Sequence, residues 1–435
     1  MSSQDRNHRR LPVLGALWLS FAVNLPGPAS AEIVVLQAAR LLEVETGRML
    51  NDATVVVLDG RIVEINPDSI PQDARVVDLG DRTLMPGLID CHVHLTANGR
   101  DFREQIVTEN AAMSALRGAE NARRTLMAGF TTVRDLTQLT ASPVLVAVAL
   151  RDASEKGWIS APHIIAAGHA LSITGGQIDP AMWVGSAEGL LDLGPENGVA
   201  DGVDEVVKAV RFQIKHGAGV IKVAATAGIM SLQGDVGAQQ YSAEELRAIV
   251  EEASRHNIRV AAHAQGVAGI NAAILAGVAS IEHGSMLDED SIRLMKKNGT
   301  YLVPTTSSSD AIPLDDLPTA VREKARYLFP LARENLAKAI RAGVKIAVGS
   351  DAPLVPHGEN AIEIVALVER GMTPLQAIQA ATIGAADLLD TPDRGRIQPE
   401  LLADIIAVNG DPLEDIGTLS KVAFVMKAGR IYKLP

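Results

Sequence analysis

The chain has one cysteine, Cys91, in 435 residues. An intrachain disulfide is therefore excluded, and the fold must be held by packing and hydrogen bonds. The chain also lacks a lysine and arginine cluster behind its N-terminus, and its formal net charge is −12. Nucleic acid and anionic membranes attract the opposite sign, so neither is expected as a partner. The apolar run Leu11 to Val23 falls short of the ~20 residues that a membrane-spanning helix needs. Hydrophobic residues make up 47% of the chain and charged residues 21%, which excludes a disordered or coiled-coil chain. What remains is a soluble globular enzyme, long enough for an α/β barrel that takes up ~250 residues as one domain.

The first 31 residues carry a targeting signature. Arg6, His8, Arg9 and Arg10 form a basic start, the run Leu11 to Val23 follows, and Pro26, Gly27 and Pro28 break it. Ala29-Ser30-Ala31 then fits a cleavage site for small residues, so residues 1–31 are expected to be a secretory signal peptide. The mature chain is expected to begin near Glu32 and to be exported to the periplasm or secreted.

Residues 85–95 read MPGLIDCHVHL. A strand alternates its side chains, so His92 and His94 share a face and Cys91 points to the other, into packing. Two imidazoles on one face form half of a metal shell, or they are a pair of histidines on an edge strand. The chain ends resemble each other. TVVVLDGRIVEI (residues 54–65) and VAFVMKAGRIYKL (residues 422–434) each place two β-rich runs around a turn, Asp59-Gly60 and Ala428-Gly429. ADIIAVNGDP (residues 403–412) adds a strand. The ends are expected to pair into one small β-sandwich, from residues 32–84 and 391–435.

Between them, residues 85–390 alternate β-like runs with helical patterns, such as SAEELRAIVEEASRHN with Ser242 and Glu245 as a capping box. Eight units over about 300 residues fit a (β/α)8 barrel, whose chemistry sits at the C-terminal strand ends. The runs GLIDCHVHL, TTVRDL, HIIAAG, VIKVAAT, RVAAHA, SIEHG, YLVPT and KIAVGSD are the expected strands. His92 and His94, Lys222, His263, His283 and Asp351 fall at the ends of the first, fourth, fifth, sixth and eighth. His216 and His256 lie near helix ends and are read as solvated; His163 opens a strand at the opposite end and is read as structural. Lys222 sits in VIKVAAT, where burial favours the neutral amine. Such an amine can take up carbon dioxide as a carbamate that bridges two cations, or the lysine can pair with a buried carboxylate.

Taken together, HVH, the strand-four lysine, HAQG, EHG and GSDAP resemble the amidohydrolase superfamily over essentially all of the chain after the signal. TTVRDL, ALSITGG, VIKVAATAGIMS, QYSAEEL and GSDAPLVPHGE are most similar to its imidazolonepropionase-like branch, with prolidase-like dipeptidases, carboxypeptidases and ochratoxin-degrading amidases. The resemblance implies two divalent metal ions, zinc by preference. One would be held by His92, His94, carboxylated Lys222 and Asp351, and the other by Lys222, His263 and His283. It also implies a bridging hydroxide nucleophile and Asp351 as the catalytic proton shuttle. Where the branch has two glycines beyond the strand-four lysine, this chain has Ala227-Gly228, so the loop there can differ.

The implied reaction is cleavage of a small amide or peptide that releases a C-terminal amino acid, from dipeptides, N-acyl amino acids or ochratoxin-like amides. Donors for the free carboxylate are sought in His169, Tyr241 and His357, and each is equally open to an ordinary loop hydrogen bond. Gly175-Gly176 lets backbone approach a ligand or merely turns the chain. Hydrolysis of cyclic amides or lactones is the alternative. A metal-free structural relative is the reading from another class, and the six filled ligand positions weigh against it. A homo-oligomer is expected.

Overall fold

The computed structural model describes residues 32–99, 105, 106, 108–138, 142–183, 193–231 and 234–435. The expected signal segment lies outside them. The two chain ends pair into one eight-stranded sheet, in the order β15-β14-β13-β5-β1-β2-β3 with β4 on β1. Here β1 is Val34–Glu43, β2 Arg48–Leu58, β3 Arg61–Ile65, β4 Arg75–Asp78 and β5 Arg82–Pro86, while β13 is Ile405–Asn409, β14 Phe424–Lys427 and β15 Arg430–Lys433. The seam between the ends is the antiparallel pairing of β5 with β13, from Pro86 opposite Ile405 to Arg82 opposite Asn409.

The two look-alike turns have one geometry. Asp59 and Gly60 have φ of 49° and 78°, and Ala428 and Gly429 have φ of 45° and 76°. Two successive left-handed residues define the type I′ turn, whose twist matches that of flanking strands. The turns also touch: a Cβ on Gly429 would lie 2.7 Å from the Gly60 Cα. Glycine is required there by the approach of one backbone to another as well as by φ.

Strand alternation gives this sheet two buried faces. Leu84, Ile405, Ala407, Phe424 and Met426 pack with Leu36, Leu41, Val55, Val57 and Ile62 in a core of the sheet's own. Their neighbours Met85, Ile406, Val408 and Val425 point the other way and join the large core of the barrel. The sheet is thereby fastened to the barrel by its own periodicity.

The barrel begins directly after β5 with β6 (Leu88–Val93), followed by β7 (Phe130–Asp135) and β8 (His163–Ala166) in a parallel three-stranded sheet. A second parallel sheet runs β9 (Ile221–Ala224), β10 (Val260–Ala264), β11 (Ser280–His283) and β12 (Tyr301–Val303). Bridges from Leu171 to Val223, from Leu302 to Ile346 and from Val93 to Ala352 close the ring. The fold is a TIM-barrel-like α/β fold. The expected eighth strand, KIAVGSD, joins through isolated bridges and is not a continuous ladder. Ser242 and Glu245 form the expected capping box on the helix Ala243–Ser254. Cys91 is fully buried in a small cluster with Ile89, Val303 and Ala347.

Leu36 is fully buried in the sheet core. Leu36→Ala should destabilise the protein by ~2–5 kcal/mol, the usual range for a large-to-small core substitution. Urea unfolding should show that loss, with metal content of the folded protein unchanged.

Candidate active site

All six ligand-type side chains expected from sequence line one cavity: His92, His94, Lys222, His263, His283 and Asp351. β6 supplies His92 and the residue just beyond its end is His94, while β9 supplies the lysine, β10 and β11 the next two histidines, and the bridge-linked eighth segment the aspartate. The ends of these strands meet because the ring is closed by backbone bonds. Asp351 N donates to His92 O and His94 N donates to Ala352 O, each at 2.8 Å. His283 and Asp351 have φ of 70° and 56°. Left-handed backbone at residues other than glycine costs of order 1–3 kcal/mol each and concentrates at functional sites.

The imidazoles are turned by partners outside the cavity. His92 Nδ1 lies 2.8 Å from Glu282 Oε2, and His94 Nδ1 lies 3.1 Å from the Thr137 carbonyl oxygen. Carboxylate and carbonyl oxygens accept only, so each Nδ1 donates, and in the neutral ring each Nε2 keeps a lone pair. Both lone pairs face one carboxylate. Asp351 Oδ1 is 3.1 Å from His94 Nε2 and 3.4 Å from His92 Nε2. Acceptors facing acceptors at that range repel unless a cation or a proton lies among them.

Burial argues against the proton on His92. It holds the His92 and His263 pKa values well below the usual imidazole range and lowers that of His283 to about 3. Lys222 and neighbouring histidines push in the same direction. For Asp351, burial acts to raise the pKa, but His92, His94 and Lys222 outweigh it and leave the group below its ordinary value. The His263 Nε2 is buried without a partner among the described residues. Ligand atoms of His92, His283 and Asp351 lie within 4.8 Å of one another. Neutral imidazoles with free lone pairs around a carboxylate fit a divalent metal such as zinc. This grouping puts His283 beside two residues that the sequence reading assigned to the other cation.

Lys222 is buried, and burial lowers its pKa to about 8, against the opposing pull of Glu282 and Asp351. Among the described residues no carboxylate forms an ion pair with its Nζ, and Glu282 and Asp351 act on it only at longer range. The Ala227-Gly228 departure is accommodated. Ala227 is buried, and a Cβ on Gly228 would lie 2.8 Å from His263 Nε2, so the glycine beside that imidazole is the one the packing needs.

The three expected carboxylate donors do not line the cavity. Tyr241 is buried, and its hydroxyl donates to the Ala200 carbonyl at 3.1 Å. His169 Nε2 lies 2.9 Å from the Ser142 carbonyl and 3.0 Å from Gln138 Nε2. His357 Nε2 lies 3.3 Å from the Ala97 carbonyl, while its Nδ1 is buried without a partner among the described residues. For His169 and Tyr241 the loop hydrogen bond is what the geometry supplies. Polar residues that do line the cavity are Thr137, Gln177, Gln265 and Ser308. Away from it, His216 Nδ1 lies 2.8 Å from the Phe212 carbonyl, His256 stands 3.7 Å from Glu252, and His163 stands 3.4 Å from Asp404.

Sequence reading missed the pair behind His92. Glu282 accepts from Arg134 Nη2 at 2.9 Å and from Ser280 Oγ at 2.5 Å, and Arg134 Nε donates to the Cys91 carbonyl at 2.6 Å. A carboxylate fixing the far nitrogen of a metal-type histidine sets its tautomer and ring orientation. The signal was present as charges inside the strand-like runs TTVRDL and SIEHG, where a buried residue needs a partner.

The fold and the donor set define a hydrolase-type metal barrel. The chain belongs to the Amidohydrolase family, which it matches over residues 83–432. It is 37% identical over 431 residues to the ochratoxinase of Aspergillus niger, covering 93% of this chain and 88% of that one. The crystal structure of a Xaa-Pro dipeptidase with methionine bound in its active site superposes with a TM-score of 0.85 at 36% identity, covering 92% of this chain and all 100% of that one. For the crystal structure of the A. niger ochratoxinase the TM-score is 0.81 at 35% identity, with coverage of 94% and 97%. The protein is accordingly a hydrolase that acts on amide bonds.

Two outcomes follow from these contacts. Arg134→Met leaves the buried Glu282 carboxylate without its charge partner, which should cost about 3–5 kcal/mol. Adding Glu282→Gln should recover part of that loss in urea unfolding. The second concerns acid. Burial lowers the His169 pKa to about 4, whereas an unfolded histidine titrates near ~6.5. Between those values the unfolded chain binds a proton that the folded chain refuses, so this contribution is complete above ~6.5 and is lost on acidification toward ~4. His169→Gln should make the fall in unfolding midpoint with decreasing pH shallower over that window.

Proposed function

We propose that the protein is a binuclear-metal hydrolase that cleaves an amide whose amine side is an α-amino acid with a free carboxylate. Dipeptides, N-acyl amino acids and ochratoxin-type amides are the substrate class. The observation that carries the reading is the arrangement of His92 and His94 lone pairs against Asp351, with Lys222, His263 and His283 lining the same cavity.

His92, His94, Lys222 and Asp351 would hold one cation, and Lys222, His263 and His283 the other. Two divalent cations held there, zinc by the donor set, would supply Lewis-acid polarisation of the scissile carbonyl and a bound water of near-neutral pKa. As a carbamate Lys222 would offer oxygen ligands to that centre: its neutral amine would add to carbon dioxide, forming an N–C bond, and a proton would leave to solvent. Glu282 keeps His92 in the tautomer whose Nε2 faces inward. Asp351, already favoured in its charged form, receives the proton of the attacking water and delivers it to the leaving amine. The ochratoxinase and Xaa-Pro dipeptidase relatives, with methionine in the active site of the latter, support the amino-acid leaving group. Export after cleavage at Ala31 and assembly as a homo-oligomer belong to the same proposal.

The zinc-loaded protein should hydrolyse an N-acyl amino acid with its carboxylate free and reject the amidated counterpart. A site that pairs a carboxylate leaves its donors unpaired when the group is missing. Asp351→Asn should keep the fold and lose ~10²-fold or more in turnover, the scale of general acid–base catalysis. Equal kcat/KM for the free and amidated substrates would reject the carboxylate reading and favour cyclic amides or lactones. Lys222→Ala should lose metal and activity together, with short carboxylic acids partly restoring both.

A further inference from the structure

The cavity is polar on its floor and apolar along one flank. Ile229, Met230, Ile312, Leu317, Phe329 and Leu354 line that flank. They do not belong to the barrel core. Ile312 and Leu317 form a separate cluster with Val321 and Ala325, and Ile229, Met230, Phe329 and Leu354 pack against it. Three excursions from the C-terminal end of the barrel contribute: the loop after β9, the long connection after β12, and the segment after the eighth strand. That connection includes the helix Thr319–Ala342, whose buried residues Val321 and Ala325 carry the wall.

A tie fixes two of these excursions to each other. Lys324 Nζ donates to the carbonyls of Ser231 and Gly234, each at 2.9 Å. The lysine thus joins the helix bearing Phe329 to the loop bearing Ile229 and Met230, and it does not line the cavity itself. Among the described residues that line the cavity, the one cation is Lys222 on the floor. Among the described residues, the flank offers nothing to pair a charged substituent. Apolar side chains gathered at the mouth of a polar site gain by covering an apolar ligand group, in proportion to the area removed from water.

Building on the amide-hydrolase reading above, we propose that this flank is a specificity wall for a large apolar group, aromatic or branched aliphatic, next to the scissile amide. Phe329 and Leu317 are its specificity-determining residues, and Lys324 is a positioning residue that holds the wall together.

The test uses the full zinc-loaded chain and two series of N-acyl amino acids. One series varies the amino-acid side chain from Gly through Ala and Leu to Phe, and the other grades the acyl group in the same way. In one series kcat/KM should climb by about 10-fold or more from the smallest to the largest group, the scale set by pocket methylenes. Phe329→Ala and Leu317→Ala should flatten that climb, bringing the ratio of kcat/KM between the largest and the smallest substrate toward one. Lys324→Met should raise KM for the largest substrate and leave kcat unchanged. Flat dependence in both series with hydrolysis intact would overturn the wall and leave the amide reading standing. Absence of hydrolysis across both series would count against the amide reading instead. Calorimetric binding of N-acetylphenylalanine against N-acetylglycine then decides the wall: tighter binding that Phe329→Ala abolishes supports it, and equal binding overturns it.

Discussion

The site depends on the seam that closes the barrel between its first strand and its last. Cys91 N donates to Val348 O, Asp351 N to His92 O, and His94 N to Ala352 O, each at 2.8 Å. Without that seam the histidines of β6 and the aspartate, 257 residues apart for the His94–Asp351 contact, do not meet. A buried carboxylate braces the same place. Asp90 accepts from the backbone of His92 and Ser350, from the Ser350 hydroxyl at 2.6 Å and from Asn360 at 2.8 Å. Four donors on one buried carboxylate offset part of its desolvation, which still pushes the Asp90 pKa above its ordinary value.

Charge inside the barrel is then arranged around what the seam brings together. Glu282 faces two ways, toward Arg134 and toward His92, so one carboxylate both answers a buried guanidinium and sets a histidine tautomer. Arg134 is fixed in turn by the Cys91 carbonyl and the Ser280 hydroxyl. A network with every member satisfied tolerates a low dielectric, and the strength of each bond there makes the arrangement rigid. Rigid orientation is what a coordination shell needs, because a ligand lone pair is useful only along its own axis. Lys222 makes no hydrogen bond with this network and lies deep, where burial lowers its pKa to about 8.

The end sheet contributes support, not chemistry. Alternate residues of β5, β13 and β14 divide between the sheet's own core and that of the barrel, so the barrel's first strand leaves β5 with its direction already set. Lys427 adds a polar anchor across the same junction, donating to the Ala161 carbonyl at 2.6 Å and to the Ser154 hydroxyl at 3.0 Å.

By itself the sequence determined the period-two strands, the positions of both hairpin turns, the Ser242 cap and the six residues at strand ends. Each of these follows from local chemistry: alternation, positive φ at Gly60 and Gly429, or a polar residue ending an apolar run. The tertiary structure decided whatever depends on a partner distant in the chain. It placed Arg134 behind Glu282 and Glu282 behind His92, pairings between strands that no local pattern records. It turned Tyr241 and His169 onto the carbonyls of Ala200 and Ser142, because a buried donor takes the nearest acceptor whichever loop carries it. It also raised the apolar flank from three separated segments. A residue's type and its neighbours in sequence say what it can bond; only the folded chain says what comes within reach.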